Sequence, residues 1–218
     1  MNRDLIIAGA GGFGREVQWL IERINQSTQS SEERWNLLGY VDDGMEQGTL
    51  VDDLPVLGGM EYLQKRKQPV HVACAIGNAE VRGTVVRKLS ENKNIHFPNL
   101  IDPSVRMSER IRMGKGNILC AGTILTADIV LKDFVILNLD CTVGHDVQLE
   151  SYVTVYPSAN ISGNVTVGES CELGTGSQII QGKTLGERTI VGAGAVVIED
   201  LPGRCTVVGV PAAVVKKE

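Results

Sequence analysis

An uninterrupted six-residue repeat occupies the C-terminal half of this 218-residue chain and constrains its fold more than any other feature. Every sixth residue from Met107 to Val197 is Met, Leu, Ile or Val, over sixteen consecutive positions. A period of six fits neither an α-helix nor an alternating strand. It is typical of a parallel β-helix, in which one hexapeptide forms each face and three form each coil. Sixteen hexapeptides amount to about five coils.

The repeat also predicts what each position does. We expect the aliphatic residue to point inward, the next residue, often Gly, to turn the corner, and the residue four positions on to fill the remaining interior. Cys141 and Cys171 fall on this last position, which predicts small buried side chains. Lys183 interrupts the interior pattern and predicts a small bulge at residues 181–183.

The N-terminal half has a different pattern, in which strands alternate with helices. The sequence predicts strands at residues 5–8, 37–41 and 70–76, helices after residue 14 and at 60–67 and 80–91, an irregular loop at 51–59 and a linker at 98–103. In the last helix Val81, Val85 and Leu89 are expected to face inward. The predicted fold is an α/β, Rossmann-like N-terminal subdomain at 1–100 and a parallel β-helix at 101–218.

Residues 9–14 match the G-x-G-x-x-G pattern between a predicted strand and a predicted helix. Such glycines let backbone N–H groups and a helix N-terminus approach a phosphate. This half has only three short predicted strands, and its acidic pair, Asp42 and Asp43, lies farther after the glycines than the usual spacing of a dinucleotide-binding motif. Both features favour a nucleotide diphosphate over a nicotinamide cofactor as the ligand. A purely structural turn remains an alternative. The two carboxylates either bind a base or ribose, or cap a helix or turn.

Composition excludes several classes of function. A net charge of −5 and a pI of about 5.3 argue against nucleic-acid binding. The absence of a long apolar run predicts no membrane span, and the short apolar start is no signal peptide, so we expect a cytoplasmic protein. Five dispersed cysteines without a C-x-x-C pair predict neither disulfides nor a thiolate metal site.

One of the three histidines has a position suited to chemistry. His145 lies two residues after the inward Val143, a register that points its ring out of the β-helix, and Asp146 follows directly. Imidazole is a natural general base near neutral pH, and a carboxylate increases its basicity. A solvated surface histidine is the alternative. A zinc site of the β-helical carbonic anhydrase type needs three histidines, and the repeat contains one, so we expect no metal.

Three further motifs are Val41-Asp42-Asp43, Ile76-Gly77-Asn78 and the ending Gly209-Val210-Pro211-Ala212. Together with the glycine loop, the repeat and the His145-Asp146 pair, they resemble the NeuD/PglD-type sugar O-/N-acyltransferase family over nearly the whole chain. The resemblance implies a left-handed β-helix, a homotrimer, acetyl-CoA as donor and a sugar acceptor, often nucleotide-linked. It implies His145 as the base, supported by Asp146. The implied sugar-nucleotide site comprises Gly11, Gly12, Phe13, Asp42, Asp43 and Gly77; the implied acetyl-CoA site comprises Asn138, Thr154, Gly163, Thr175 and Ala193. Phe13 and Thr154 stand where the bacillosamine-pathway member carries histidine.

The predicted reaction is direct acetyl transfer, with His145 removing a proton from a sugar amine or hydroxyl as it attacks the thioester. A 4-amino sugar on a nucleotide is the first expectation, because the glycine loop suits a diphosphate. O-acetylation of sialic acid is the close alternative. A non-catalytic β-helix scaffold that binds nucleotide sugars is the alternative from another class.

Overall fold

The computed structural model describes residues 3–217, and the chain divides into two compact units, Met1–Pro103 and Ser104–Glu218. The first unit contains a parallel sheet of four strands in the order β2-β1-β5-β6. Its elements along the chain are β1 (Asp4–Ala8), α1 (Gly12–Ser27), a 3₁₀ turn (Ser31–Glu33), β2 (Asn36–Val41), β3 (Leu50–Val51), β4 (Leu54–Pro55), α2 (Met60–Gln64), β5 (Val70–Cys74), α3 (Ala79–Leu89), β6 (Ile95–His96) and β7 (Leu100–Ile101).

The strand order of the sheet gives special importance to the carboxyl end of β1, where the glycine loop begins. The neighbours β2 and β5 lie on opposite sides of β1, so the connections diverge at its carboxyl end, which is where open α/β sheets bind ligands. Backbone hydrogen bonds continue to this edge, from Gly9 N–H to the Val41 carbonyl (2.9 Å) and from Ala75 N–H to the Ala8 carbonyl (2.8 Å). The loop backbone is thereby fixed at this edge of the sheet.

The first unit departs from the sequence prediction in four places, one of which is the predicted linker at 98–103, where the strand β7 forms. The predicted irregular loop at 51–59 contains the short antiparallel pair β3–β4, and a fourth sheet strand, β6, was not predicted. Val81, expected inside, is 52% exposed, whereas Leu89 is buried as predicted, and α3 also buries Arg82 and Val86. The inward face of α3 thus includes Arg82 in place of Val81, while Val85 packs half-buried against the core.

The second unit is a parallel β-helix with three faces, each built from two-residue strands paired with the strand eighteen residues on, as Leu137 pairs with Val155. The first face contains Ile118–Leu119, Ile136–Leu137, Thr154–Val155, Glu172–Leu173, Ile190–Val191, Cys205–Val208 and the antiparallel Ala213–Lys217. The second contains Arg106–Met107, Ile124–Leu125, Thr142–Val143, Asn160–Ile161, Gln178–Ile179 and Val196–Val197. The third contains Arg112–Met113, Val130–Leu131, Gln148–Leu149, Thr166–Val167 and Thr184–Leu185.

The interior of the β-helix follows the repeat. All fourteen repeat residues from Leu119 to Val197 are buried, and so are fourth-position residues such as Cys141, Val153 and Cys171. Met107, at 43% exposure, departs from the prediction because its strand is the last of its face and has a neighbour on one side only. The predicted fold class, an α/β unit followed by a parallel β-helix, is confirmed.

The corners of the coil are turned by a different residue from the one predicted. A residue with positive φ occurs three positions after each repeat residue from Met113 to Val191, which is every sixth position from Gly116 to Gly194. The glycine directly after the aliphatic residue serves packing instead. A Cβ on Gly168, for example, would lie 2.6 Å from the backbone nitrogen of Glu187 in the next coil. Gly182 has the same positive φ as its equivalents, so no bulge exists at residues 181–183.

We call the turns after the first, second and third faces the first, second and third corners.

Candidate active site

His145 and Asp146 lie together at the second corner of the β-helix. His145 comes two residues after the buried Val143, and its side chain points away from the interior with 56% of its surface exposed. Its Nδ1 lies 2.8 Å from Oδ2 of Asp146, whose side chain is 59% exposed. The coil therefore presents an imidazole and a carboxylate to the outside, with Nε2 as the ring nitrogen that does not contact Asp146.

The backbone explains why Asp146 can reach the ring of its own neighbour. Asp146 has φ +59°, the left-handed conformation of this turn position, which Asp and Asn tolerate better than most residues. Its N–H donates to the Ala127 carbonyl (3.0 Å) in the preceding coil, and Asn164 N–H donates to the His145 carbonyl (2.7 Å). The two residues are thus held from both sides by neighbouring coils. A carboxylate on Nδ1 leaves Nε2 available as a proton acceptor.

The residues expected to bind acetyl-CoA are not brought together within one chain. Gly163 lies at the second corner, in the coil after His145, while Asn138, Thr175 and Ala193 lie at the first corner, at the other end of the second face. Thr175 and Ala193 are exposed, whereas the Asn138 side chain is buried and accepts a hydrogen bond from Leu139 N–H (2.7 Å).

Thr154, the remaining residue expected to bind acetyl-CoA, lies on a face of the β-helix and not at a corner. It lies on the first face between Ile136 and Glu172, and only 1% of its surface is exposed. Nearby, the Tyr156 hydroxyl donates to a carboxylate oxygen of Glu172 (3.1 Å). In the described chain Thr154 is part of the packing of this face, which differs from the expected contact with a coenzyme.

The glycine loop of the first unit divides into open and packed glycines. Nothing lies within 4 Å of a Cβ placed on Gly11 or Gly12, and α1 has no side-chain hydrogen bond at its N-cap, Gly11. In contrast, a Cβ on Gly14 would lie 2.1 Å from the Gly9 carbonyl oxygen, so this glycine permits close packing of helix and strand. The N-terminus of a sixteen-residue helix is therefore exposed at the carboxyl end of β1, which is a suitable place for a phosphate.

The structure gives the predicted acidic pair a capping role. The Asp42 carboxylate accepts hydrogen bonds from Ala10 N–H and from Gly44 N–H, both at 2.8 Å. Asp43 accepts from Met60 N–H (2.7 Å) at the start of α2. Of the two interpretations open from the sequence, capping is the one for which the structure supplies contacts. Asp42 also fixes the glycine loop to the end of β2.

Gly77 follows β5, and Phe13 is half-buried in the first turn of α1. Sequence reasoning missed Arg82, which is 1% exposed and donates from Nη1 to the carbonyl oxygens of Ile76 (2.7 Å) and Gly77 (2.8 Å). A buried guanidinium thus fixes the loop after β5. The signal was present in the spacing of α3, where residue 82 lies three positions after Ala79 on the inward face.

All five cysteines are free and buried, as predicted. Burial raises the pKa of Cys74, Cys141 and Cys171 to about 12, so these thiols stay protonated at neutral pH and are poor nucleophiles. Among residues 3–217, no group of three or more His, Cys, Asp and Glu side chains is arranged to hold a metal ion. None of the helices in the described part of the chain is both long and apolar enough to cross a membrane.

Comparison with known proteins identifies the family. Residues 4–89 match the model of the PglD N-terminal domain. The acetyltransferase domain of PglB from Neisseria gonorrhoeae FA1090 is 33% identical, covers 98% of this chain and 100% of that one, and superimposes with a TM-score of 0.89. The chain belongs to the NeuD/PglD-type sugar acyltransferase family. Its β-helix matches the left-handed β-helix of these acetyltransferases, as expected from the sequence.

Other members of this family have names that state their ligands. PerB from Caulobacter crescentus, solved in complex with CoA and GDP-perosamine, is 30% identical, covers 98% of this chain and 97% of that one, and has a TM-score of 0.86. GDP-perosamine N-acetyltransferase from Escherichia coli O157:H7 is 29% identical over 191 residues, which are 86% of this chain and 82% of that protein. The PglB domain has also been solved with acetyl coenzyme A.

Proposed function

We propose that this protein transfers the acetyl group of acetyl-CoA to the amine of a nucleotide-linked 4-amino sugar. The observation that carries the proposal is the exposed His145–Asp146 pair, joined at 2.8 Å on the outer wall of a β-helix of this family. The relatives named for GDP-perosamine and the PglB domain solved with acetyl coenzyme A support an amino-sugar acceptor and a thioester donor.

The base in this reaction is His145. Its Nε2 accepts a proton from the sugar amine as the amine nitrogen attacks the thioester carbonyl, and the C–S bond then breaks to release the thiolate of CoA. The imidazolium returns the proton to that thiolate, so the products are the amide and the free thiol. Asp146 orients the ring and stabilises the imidazolium through Nδ1. General base catalysis of this kind contributes about 10²–10⁴-fold.

The glycine loop of the first unit is our proposed binding site for the nucleotide diphosphate. Gly11 and Gly12 leave the N-terminus of α1 open, and a diphosphate bound there gains from the N–H groups and the helix dipole. Asp42 serves this site by fixing the loop through Ala10 N–H. Phe13, Asp43 and Gly77 border the same edge of the sheet.

The donor site is proposed to form between β-helices of a homotrimer. His145 and Gly163 belong to the second corner, whereas Asn138, Thr175 and Ala193 belong to the first, at opposite ends of one face. A threefold arrangement in which the second corner of one subunit approaches the first corner of the next would unite these residues around acetyl-CoA. Because Thr154 is buried in the described chain, this proposal gives it no direct contact with acetyl-CoA and places it behind the donor site.

We also propose that the enzyme acts in the cytoplasm, in the synthesis of surface glycans. O-acetylation of sialic acid and a purely scaffolding role are the competing outcomes that an experiment must separate.

The test is a thiol-release assay with acetyl-CoA against GDP-, UDP- and dTDP-linked 4-amino-4,6-dideoxy sugars and free sialic acid, with product mass measured. We expect a 42-Da gain (about the mass of one acetyl group replacing a proton) on at least one nucleotide-linked amino sugar, and none on the matching 4-hydroxy sugar. Turnover of sialic acid alone would overturn the choice of acceptor. Calorimetric binding of a nucleotide sugar without binding of acetyl-CoA would favour the non-catalytic scaffold, and sizing by light scattering tests the trimer.

A further inference from the structure

The imidazole of His145 rests directly on Gly163 of the next coil. A Cβ placed on Gly163 would lie 2.5 Å from Nε2, 2.6 Å from Cε1 and 2.9 Å from Cδ2 of that ring. Cβ atoms essentially never come this close to other heavy atoms, so no side chain fits at residue 163 while the ring keeps its place. The contact involves the edge of the ring that carries Nε2.

The backbone itself does not require glycine at residue 163. Gly163 lacks the positive φ that explains glycines such as Gly176 and Gly182 in the same unit. The equivalent corner position is occupied by Ala127 two coils before, by His145 itself one coil before and by Gln181 one coil after, so this position of the turn accepts a side chain. The steric requirement at residue 163 therefore comes from the imidazole.

The backbone around Gly163 has little freedom to retreat from an added methyl group. The Gly163 carbonyl accepts from Gly182 N–H (3.0 Å), and Asn164 N–H donates to the His145 carbonyl (2.7 Å). On the side of the preceding coil, a Cβ on Gly144 would lie only 2.5 Å from the Gly163 nitrogen, so the two coils already meet closely there. The exposed imidazole is the part that can move, and moving it separates Nδ1 from Asp146.

We propose that Gly163 is a positioning residue: its missing side chain leaves the space in which the His145 ring lies while Nδ1–H donates to Asp146 and Nε2 remains free to accept a proton. This inference rests on the proposed role of His145 as the base, and it adds a function for Gly163 that is separate from any contact with acetyl-CoA.

The first test measures the ring in the unliganded protein, where a lost coenzyme contact has no effect. Long-range ¹H–¹⁵N correlation spectra report which imidazole nitrogen carries the proton. We expect the Nδ1–H tautomer for His145 in the wild type and a shift toward Nε2–H in Gly163→Ala. An unchanged tautomer in Gly163→Ala would overturn the proposal, whatever happens to activity.

A matched control separates the ring contact from ordinary coil packing. Gly168→Ala introduces an equally close contact, 2.6 Å from the Glu187 backbone nitrogen, at a corner without histidine. It should lower thermal stability and leave the His145 tautomer and the pH profile of kcat/KM unchanged. In Gly163→Ala we expect kcat to fall about 10- to 100-fold, the range for losing one hydrogen bond to a charged group.

A double-mutant cycle keeps the proposal testable even if Gly163→Ala folds poorly. Replacing His145 by Ala removes the ring that collides with the new methyl group, so Gly163→Ala should cost less stability in the H145A background than in the wild type. Equal costs in both backgrounds would show that the methyl group collides with the coil, and would refute the proposal. Because this readout is a folding measurement, it stands independently of whether the acceptor is an amino sugar.

Discussion

Glycine has opposite purposes in the two units of this protein. In the first unit, Gly11 and Gly12 have open space where a Cβ would be, and their small size exposes backbone N–H groups at the start of α1. In the second unit, the corresponding space at Gly163 is filled by the imidazole of His145. The comparison teaches that a glycine in a functional site either leaves room for a ligand or leaves room for the protein's own side chain, and that the neighbouring atoms decide which.

The same contrast applies to the two acidic motifs. Asp42 accepts two backbone hydrogen bonds and works as a structural cap, while Asp146 contacts an exposed imidazole through one oxygen. The Asp42 carboxylate holds the loop in place, whereas the Asp146 carboxylate contacts an imidazole that can gain and lose a proton during a reaction. Variants at both motifs and both glycine sites test this division.

The largest expected effect is on the histidine of the second unit. His145→Ala should lower turnover about 10²–10⁴-fold, because the general base is removed, and it should leave the fold intact because the side chain is exposed. Steady-state thiol release and circular dichroism measure the two quantities. His96→Ala, an exposed histidine of the first unit, is the control and should retain wild-type turnover. Full turnover in His145→Ala would refute the assignment of the base.

The next effect concerns the carboxylate that orients the ring. Asp146→Asn keeps a residue that tolerates positive φ but removes the charge that stabilises the imidazolium, so kcat should fall about 10- to 100-fold. Asp140→Asn makes the same change at an equivalent turn, with φ +56° and no histidine beside it, and should leave kcat unchanged. Equal losses in both variants would assign Asp146 a role in the turn alone.

A pair of glycine variants separates the open from the packed positions of the first unit. Gly14→Ala places a methyl group 2.1 Å from the Gly9 carbonyl oxygen and should destabilise the unit by about 1–3 kcal/mol, the usual cost of overpacking. Gly12→Ala meets no atom within 4 Å and should keep the wild-type unfolding midpoint while raising KM for the nucleotide sugar. An unchanged KM in Gly12→Ala would argue against phosphate binding at this loop.

The smallest effect is a pH dependence of stability in the first unit. Burial lowers the pKa of His71, although a hydrogen bond to the Asp4 carbonyl opposes this, and the ring packs against Trp35 at 5.1 Å. Because the unfolded chain binds a proton more readily than the folded one, this contribution is complete above the unfolded pKa of about 6.5 and is lost as the pH falls toward the lower folded value.

His71→Phe should therefore lose less stability than the wild type between pH 7.5 and pH 5, as measured by thermal unfolding. Phenylalanine keeps a ring against Trp35 and removes the titrating group, so only the slope is expected to change. Identical slopes for the two proteins would contradict a contribution from His71.

The β-helix was predictable because each hexapeptide repeats the same pattern of inward-facing apolar residues. Leu119 and the following repeat residues are buried as expected, and Met107 deviates only because its strand ends the stack. The turn residues were not predictable from their identity, since Asp140, Phe134 and Tyr152 all take the same positive φ. Position in the repeat, which the stacked coils enforce, overrides the preference of the individual side chain.

The first unit was predictable to a lesser extent. Its main strands and helices follow from the alternation of apolar patterns, but the choice between Val81 and Arg82 as the inward residue of α3 depends on the carbonyl oxygens of Ile76 and Gly77 that lie next to it. Helical spacing from Ala79 marks residue 82 as inward, but the carbonyl groups that accept hydrogen bonds from an arginine there belong to the loop after β5.

By itself the sequence determined that this chain coils into a β-helix, that Val143 points inward and that His145 therefore points outward, because hydrophobic periodicity is a property of the chain read one residue after another. Only the tertiary structure decided that Gly163 would lie against the ring and that Asp42 would hold the glycine loop. Whether a Cβ would fit at a glycine, and which groups donate hydrogen bonds to a carboxylate, depends on atoms that are distant along the chain and become neighbours only when it folds.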